Sequence, residues 1–270
     1  MKLLTFDIEE FYHLLDVVVD DDIKQCHTSL YPICDEILSL LAKANVKAIF
    51  FFVGETARAN PELVRKIVLS GHQIGSHSMR HKLHSEMDDE EFENDLRESL
   101  EVLEEICGFP IVYYRAPGFS LTARFLHRYQ LLEKCGIKFD FSIFLNGGSH
   151  GGINESDLPK KFQSDNFFNI GGVKAYPFVK SKILGLPISL LGGGYFRLFP
   201  GTWAIAAARS SNYCVTYFHP RDFDPDQPVI ENLGLVRRFR SYVGLRSSFK
   251  KLGRLVSAVD WSDPQIIRQN

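Results

Sequence analysis

Buried strands and amphipathic helices alternate along the first half of the chain, and this alternation limits the folds that are open to it. Val46–Val53 (V-K-A-I-F-F-F-V) is a continuous apolar run typical of a strand covered on both faces, and Leu3–Asp7 is a shorter one. Between them, Tyr31–Ala44 carries apolar residues at helical spacing. Strands that alternate with helices usually pair in parallel beside a layer or ring of helices. The sequence therefore predicts an α/β domain.

The alternation continues to about residue 142. The further predicted elements are a helix starting at Pro61 with Asn60 as N-cap, a helix over 88–107, a strand over 112–115, a helix over 121–135 ended by Gly136, and a strand over 138–142. From about 146 to 200 the pattern breaks into Gly-, Ser- and Asn-rich stretches and short apolar runs. This insertion predicts loops and a β-hairpin over the mouth of a site. A strand over 213–218 then returns to the core.

The C-terminal part, from about 230 to 258, is a basic tail. Leu and Phe recur at helical intervals from Leu235 to Val256, with Arg and Lys between them. One interpretation is a helix that binds a membrane surface. A basic amphipathic helix docked on its own domain is the more common outcome, and it is the favoured interpretation. The whole chain, residues 1–270, is then one catalytic domain with an insertion and a helical tail.

Composition excludes several classes of protein. The net charge is −2, which offers no electrostatic reason to expect nucleic acid or an anionic membrane surface as a partner. The five cysteines are odd in number and lack C-x-x-C spacing, which argues against a disulfide framework and a cysteine-ligated zinc. No stretch approaches the roughly 20 apolar residues of a membrane span. Because Met1–Leu4 runs directly into the first polar motif, we expect no signal peptide and a cytoplasmic location. The oligomeric state is left open.

Five short polar motifs interrupt this ordinary pattern, and most of them follow predicted strands. They are T-F-D-I-E at 5–9, H-S-M-R-H at 77–81, R-A-P at 115–117, D-F-S at 140–142 and H-P-R at 219–221. Asp7 and Glu9 are two residues apart on a strand and therefore point the same way. His77 and His81 are four residues apart, a spacing that brings two imidazoles together. A carboxylate with two histidines is a metal-binding set with open positions for water and substrate.

The order of these motifs resembles that of the polysaccharide deacetylase (NodB homology) superfamily. The sequence runs D-x-E, G-H-x-I-G-S-H-x-x-x-H, R-A-P, F-D-x-S, G-G-G-Y-F-R-L and F-H-P between Lys2 and about Pro225. It is most similar to the branch whose first motif reads D-x-E-[DE] and in which a G-G-G-Y-F-R element precedes the histidine. The resemblance implies a distorted (β/α)7 barrel. It also implies that the strand-end motifs carry the chemistry.

The resemblance and the residue types together suggest a mechanism of amide hydrolysis. One divalent cation, with zinc preferred, is expected on Glu9, His77 and His81. Asp7 is the candidate general base, and His219, on a different strand end, is the candidate general acid. The family's pattern implies that Arg115 orients Asp7. The carboxylate ligand is open between Glu9 and Glu10, and strand alternation favours Glu9.

The resemblance further implies contacts with a substrate. The backbone N–H at Gly118, between Pro117 and Phe119, resembles the family's second oxyanion donor. Gly194 and Tyr195 are candidate substrate residues, although an aromatic at Tyr195 or Phe196 is equally compatible with the core. The family's aspartate beside the acid histidine has no clear match, and Asp140 and Asp222 are its two candidates.

The preferred function is metal-dependent removal of an N-acetyl group from a sugar of a surface glycan, such as an O-antigen or capsule, or of its precursor. The expected partner is thus an N-acetylated sugar or glycan precursor. Two alternatives remain open from the sequence. One is a related amidohydrolase acting on a small cyclic amide or formamide, and the other is a carbohydrate-binding barrel without catalysis.

Overall fold

The computed structural model describes residues 1–13, 30–147, 151–159, 166–183, 186–230 and 233–269. Its strands are β1 (Lys2–Leu3), β2 (Thr5–Ile8), β3 (Ile49–Phe52), β4 (Gln73–Ser76), β5 (Tyr113–Tyr114), β6 (Phe139–Asp140), β7 (Phe168–Ile170), β8 (Val173–Ala175), β9 (Ser181–Ile183), β10 (Leu186–Ile188) and β11 (Cys214–Val215). Its α-helices are α1 (Leu30–Ala44), α2 (Gly54–Ala59), α3 (Pro61–Leu69), α4 (Asp89–Cys107), α5 (Tyr129–Lys134), α6 (Gly193–Leu198), α7 (Gly201–Ser210), α8 (Leu235–Tyr242), α9 (Leu245–Ala258) and α10 (Ile266–Gln269).

The chain forms two compact units. Unit 1 comprises Met1–Ala48 and Lys180–Asn270, and unit 2 comprises Ile49–Val179. Both combine strands and helices, so the α/β class predicted from the alternation is confirmed. Among the described residues, no helix is both long and apolar enough to cross a membrane.

Unit 2 is built on a mostly parallel sheet. Strands β3, β4, β5, β6 and β8 are neighbours in that order and run parallel, and β7 pairs antiparallel with β8 at the edge. The sheet is buried because β3 is entirely apolar and all four of its residues are inaccessible. Each such aromatic or aliphatic side chain contributes roughly 1.5–3 kcal/mol on burial. Because β4, β5 and β6 run parallel, their carboxyl ends lie at the same edge of this sheet.

Helices of unit 2 follow the predicted positions with some differences. The long acidic helix α4 starts after Asp88, whose side chain accepts a hydrogen bond from the Glu91 N–H in a capping box. Gly108 ends it in the left-handed conformation. The helix expected over 121–135 is instead a 3₁₀ segment, Ala123–Arg128, followed by the short α5. The insertion contains the hairpin β7–β8, which extends the sheet because β8 pairs with β6. That a hairpin covers the mouth of a site stays a prediction.

Unit 1 brings the two ends of the chain together. β1 pairs in parallel with β11, and the register continues through a bridge between Phe6 and Phe218. Parallel pairing at this distance in sequence puts the residues after β2 beside those after β11. A second hairpin, β9–β10, belongs to this unit as well.

The basic tail forms two helices with different surroundings. Helix α9 buries Leu245, Leu252, Leu255 and Val256 and packs on α7 and α1, so docking is confirmed for this part. For α8 the docking prediction is wrong on its apolar face, which is exposed. The inner side of α8 is held by hydrogen bonds to its carbonyls and by Tyr242, as described below.

Candidate active site

In unit 1, β2 presents the two carboxylates of the first motif. Asp7 lies in β2 and Glu9 follows it directly, and both side chains are buried. The Asp7 N–H donates to the Phe218 carbonyl at 2.7 Å, which fixes β2 against the segment that leads to His219. Oxygens of Asp7 and Glu9 lie 3.8 and 3.9 Å from the Nε2 atom of His219. Glu9 therefore points to the same side as Asp7, as strand alternation predicts.

One ring nitrogen of His219 contacts the Asp222 carboxylate, and the other faces the carboxylates of Asp7 and Glu9. Its Nδ1 is 3.1 Å from Oδ2 of Asp222, which also accepts the His219 backbone N–H at 2.9 Å. Burial lowers the pKa of His219, but Glu9, Asp222 and Asp7 outweigh burial and raise the pKa to about 9. The side chain is 21% exposed. An imidazole that stays protonated, is oriented by a carboxylate and still reaches solvent has the properties of a general acid.

Asp140 and Asp222 were the two candidates for the aspartate beside the acid histidine, and Asp222 is the one that contacts His219. Burial alone raises the pKa of Asp222, but the Arg197 guanidinium and His219 outweigh burial and hold that pKa below its ordinary value. Nε of Arg197 lies 3.0 Å from Oδ1 of Asp222, and both side chains are buried. Asp222 is therefore ionised between two cationic groups.

The sequence analysis missed Arg197. This residue is the arginine of the G-G-G-Y-F-R element, and beyond Asp222 it donates to the carbonyls of Arg240 and Ser241 at 2.8 and 2.6 Å. The signal available in the sequence was an arginine in a motif whose other residues are apolar or glycine. Its role depends on Asp222, which lies 25 positions further along the chain, and no spacing rule connects the two.

In unit 2, His77 and His81 follow β4 in a loop. Their ring centroids are 5.1 Å apart and both residues are buried. Nδ1 of His77 is 2.8 Å from the Arg115 carbonyl oxygen. Because a carbonyl only accepts, Nδ1 carries the proton and Nε2 carries the lone pair. A metal-ligating histidine commonly has this arrangement, in which the second nitrogen donates to a backbone carbonyl.

The loop between the two histidines has an unusual backbone. Ser78 and His81 both have positive φ, 65° and 55°, so the pair does not lie on a helical turn. The Ser78 hydroxyl accepts the His81 N–H at 2.9 Å, and the Asp95 carboxylate of α4 accepts the Met79 N–H at 2.7 Å. These bonds hold a conformation that bulky residues adopt rarely. The spacing predicted that the two imidazoles come together, and this is confirmed, in a loop.

Arg115 follows β5 and is buried. Its Nε donates to the Phe141 carbonyl at 3.3 Å, and its guanidinium lies 4.4 Å from the centroid of the Phe51 ring. A buried arginine fixed by an aromatic face is well positioned to orient a carboxylate. Its predicted partnership with Asp7 stays a prediction.

Asp140 has partners of its own in unit 2. Its carboxylate accepts from the Tyr129 hydroxyl at 2.7 Å and from the Ser142 N–H at 3.0 Å. Burial raises the pKa of Asp140 to about 6, against these hydrogen bonds and the charge of Arg115. The Ser142 hydroxyl bonds Asp140 and accepts the Ala116 N–H, so the D-F-S motif supports the R-A-P motif.

The predicted substrate residues lie in two places. Pro117, Gly118 and Phe119 form a short 3₁₀ turn in unit 2, with positive φ at Gly118 and Phe119. The Phe119 ring is buried, 5.3 Å from the Phe144 ring. The Gly118 N–H as an oxyanion donor stays a prediction.

In unit 1, Gly194 and Tyr195 lie in the first turn of α6. Tyr195 is partly exposed, whereas Phe196 is buried 4.8 Å from the Phe218 ring. Phe196 is therefore the core aromatic of the two, and Tyr195 is available to a ligand. A side chain at Gly192 would meet the Tyr217 ring at 2.3 Å, so the first glycine of the G-G-G element is required for packing.

Two family models match the chain. Residues 16–139 match the polysaccharide deacetylase family, and residues 149–267 match a domain of unknown function, DUF3473. The resemblance to the polysaccharide deacetylase family is thereby confirmed for residues 16–139, the part of the chain that this model matches. The first motif lies before the first match, whereas G-G-G-Y-F-R, His219 and the basic tail lie within the second.

Relatives among known proteins match part of the chain. A peptidoglycan-N-acetylglucosamine deacetylase of Bacillus cereus is 29% identical over 115 residues, 43% of this chain and 51% of that protein. A chitooligosaccharide deacetylase of Azorhizobium caulinodans is 31% identical over 113 residues, 42% of this chain and 51% of that protein. The chain thus spans about half the length of these relatives.

Solved structures share the fold. A Mycobacterium smegmatis protein assigned to the polysaccharide deacetylases aligns over 99% of this chain and 88% of its own, with a TM-score of 0.62 and 20% identity. A family 4 carbohydrate esterase from Streptomyces lividans aligns over 94% and 86%, with a TM-score of 0.51 and 13% identity. The polysaccharide-deacetylase type of α/β fold, predicted from the motifs, is confirmed.

Proposed function

We propose that this protein is a metal-dependent de-N-acetylase that acts on an N-acetylated sugar of a surface glycan or of its precursor. The observation that carries the proposal is the group in unit 1, where Asp222 holds His219 on Nδ1 and Nε2 faces Asp7 and Glu9. A base and an acid within one small group are what amide hydrolysis needs. The names of the relatives support an N-acetylated sugar as substrate.

The proposed cation site consists of Glu9, His77 and His81. These three buried side chains are candidate metal ligands among the described residues. The donors fit a divalent cation, because one is a carboxylate and His77 offers an Nε2 lone pair fixed by the bond from its Nδ1. We propose zinc, which favours such mixed nitrogen and oxygen ligands. A cation bound there supplies activation of a water and stabilisation of negative charge.

The residues of the chain perform the proton transfers in this proposal. Asp7 accepts a proton from the attacking water while the water oxygen bonds to the acetyl carbon. The Gly118 N–H donates to the acetyl carbonyl oxygen, which becomes negative in this step. His219 gives its proton to the sugar nitrogen as the carbon–nitrogen bond breaks. The products are acetate and an amino sugar. Arg115 keeps Asp7 oriented.

The general base is tested by substitution. Asp7→Asn keeps the shape of the side chain but cannot accept a proton, so kcat should fall by roughly 10²–10⁴ while the fold and the metal content are retained. Acetate release from a panel of N-acetylhexosamine carriers, with a cyclic amide and a formamide alongside, measures it. Asp260→Asn, at an exposed aspartate, is the control and should be fully active. Near-normal turnover by Asp7→Asn would remove Asp7 from the mechanism.

Metal content tests the cation site. Glu9→Gln removes the anionic ligand, so the zinc bound per protein after dialysis should fall at least tenfold. Loss of a metal ligand, or of a group that supports one, strongly weakens metal affinity. Glu10→Gln is the matched control, one residue along, and should retain the metal. If the two variants behave alike, or if Glu10→Gln loses the metal instead, the assignment of Glu9 is wrong.

The location is also a proposal. Four cysteines of the described chain, Cys34, Cys107, Cys135 and Cys214, are free thiols. Free thiols are usual in reducing compartments, which supports a cytoplasmic location. Fractionation of cells that produce the protein tests this, and recovery only outside the cytoplasmic membrane would contradict it.

A further inference from the structure

Helix α8 presents its apolar side chains to the outside. Leu235, Val236 and Phe239 are 86%, 68% and 56% exposed, and Val229 nearby is exposed as well. Scattered apolar residues on a surface need no explanation, but three on one short helix form a continuous patch. We call this patch, formed by Leu235, Val236 and Phe239, the apolar ridge.

The geometry of α8 puts the ridge between arginines. At about 100° per residue, the three ridge residues share one arc of the helix. Arg238 and Arg240 are exposed and border this arc on its two sides, while Ser241, on the opposite side, is buried. An apolar arc flanked by cationic side chains is the arrangement of helices that lie in the plane of a membrane interface.

The helix is held rigidly in this orientation. Arg197 donates to the carbonyls of Arg240 and Ser241, and Nη1 also lies 3.4 Å from the Val243 carbonyl. The Tyr242 hydroxyl accepts the Ile230 N–H at 2.9 Å and donates to the Pro228 carbonyl at 3.0 Å. Polar bonds therefore anchor the inner side of α8. The Tyr242 side chain also packs against the apolar cluster of Phe11, Ile230 and Leu233, which leaves the ridge on the outer side of the helix.

The charge of this region is strongly one-sided. Between Leu235 and Ala258 the sequence contains seven basic residues and no acidic one, although the whole chain has a net charge of −2. The seven are Arg237, Arg238, Arg240, Arg246, Lys250, Lys251 and Arg254. A surface that complements this region must be anionic. A second copy of the same helix does not meet that requirement, because its arginines repel these.

We propose that α8 binds the surface of an anionic phospholipid bilayer, with the apolar ridge at the level of the acyl chains and the flanking arginines on lipid phosphates. The interaction is peripheral, since one short helix buries only a few side chains. The proposal concerns binding alone and does not depend on the deacetylase activity.

Vesicle sedimentation tests the proposal. The full chain should bind vesicles of phosphatidylcholine that contain phosphatidylglycerol, and it should bind pure phosphatidylcholine vesicles at least tenfold more weakly. Rising salt should release it. Each arginine near an anionic surface contributes about 1 kcal/mol, or roughly fivefold in affinity. Arg238→Gln with Arg240→Gln should therefore lower the affinity tenfold or more, whereas Arg65→Gln with Arg124→Gln, exposed arginines of unit 2, should not.

The apolar contribution has a closely matched control. Leu235→Ser with Phe239→Ser should lower vesicle affinity at least tenfold, because it removes most of the ridge. Leu69 in unit 2 is 87% exposed, as Leu235 is at 86%, so Leu69→Ser should leave binding unchanged. Thermal unfolding of each variant shows that the fold is retained.

Three outcomes would overturn the proposal. The first is equal binding to neutral and anionic vesicles. The second is anionic binding that neither α8 variant weakens. The third is the lack of vesicle binding together with a dimer that Leu235→Ser with Phe239→Ser dissociates, which would assign the ridge to a second copy.

Discussion

Two histidines of this protein lie in polar clusters, one in each unit, and their pKa values move in opposite directions. His219 lies among the carboxylates of Asp7, Glu9 and Asp222, and its pKa is raised to about 9. His84 is fully buried in unit 2, and burial together with the Arg128 guanidinium lowers its pKa to about 3. The same side chain is thus an imidazolium in one cluster and a neutral imidazole in the other.

The hydrogen bonds around His84 agree with a neutral ring. Nη1 of Arg128 lies 3.3 Å from Nδ1 of His84, and an arginine can only donate, so Nδ1 accepts. Nε2 then carries the proton and donates to the Tyr114 hydroxyl at 3.1 Å. Every polar atom of the ring is satisfied and enclosed, which makes His84 a structural residue. His219 differs because its second nitrogen faces carboxylates and solvent.

The largest expected effect separates the two histidines by activity. His219→Ala should lower kcat by roughly 10²–10⁴ because the departing nitrogen loses its proton donor. Its metal content should stay near that of the unaltered protein and its fold should be retained, with a lower free energy of unfolding, because the raised pKa of His219 means that its imidazolium stabilises the folded state. His84→Gln, which retains one donor and one acceptor, should keep kcat within a fewfold. If the two substitutions reduce kcat equally, the distinction between an acid and a structural histidine is wrong.

The second prediction concerns stability in acid. The unfolded chain protonates a histidine near pH 6.5, whereas folded His84 does so only near pH 3. The unfolded state therefore binds the extra proton first, and the free energy of unfolding should fall as pH falls from about 6.5 toward 3. Once the pH is below about 3, the free energy of unfolding lost through His84 is of the order of 5 kcal/mol.

Urea unfolding at several pH values measures this loss. His84→Gln does not titrate, so its free energy of unfolding should depend less on pH over the same range, even if it is lower at neutral pH. An unchanged slope in His84→Gln would show that other groups control the acid stability.

The smallest expected effect tests the partner of His219. Asp222→Asn removes a negative charge that favours the imidazolium, so His219 should lose its proton at lower pH. The alkaline limb of the kcat profile should move toward neutral pH by about one unit or more. Asp226→Asn, at an exposed aspartate nearby, is the control and should leave the limb in place. A limb that stays fixed in Asp222→Asn would mean that the limb reports another group.

Residues close in sequence determined much of what could be predicted. The buried run that became β3, the helix α4 and the parallel pairing of the strands follow from local periodicity. The choice of Glu9 over Glu10 follows from alternation on one strand. Asp7 and His219 were identified as candidates because strand ends carry the chemistry in such folds. These features depend on neighbours a few residues away, which the sequence displays directly.

The tertiary structure alone decided the rest. It brought Asp7 and Glu9 to His219, placed Arg197 against Asp222 and the carbonyls of α8, and left the ridge of α8 outside. It also lowered the pKa of His84 beside Arg128 and raised that of His219 beside Glu9 and Asp7. Charge interaction and desolvation depend on which groups are close in space, and chain folding brings together groups that are tens of positions apart. Periodicity in the sequence contains no record of those distances.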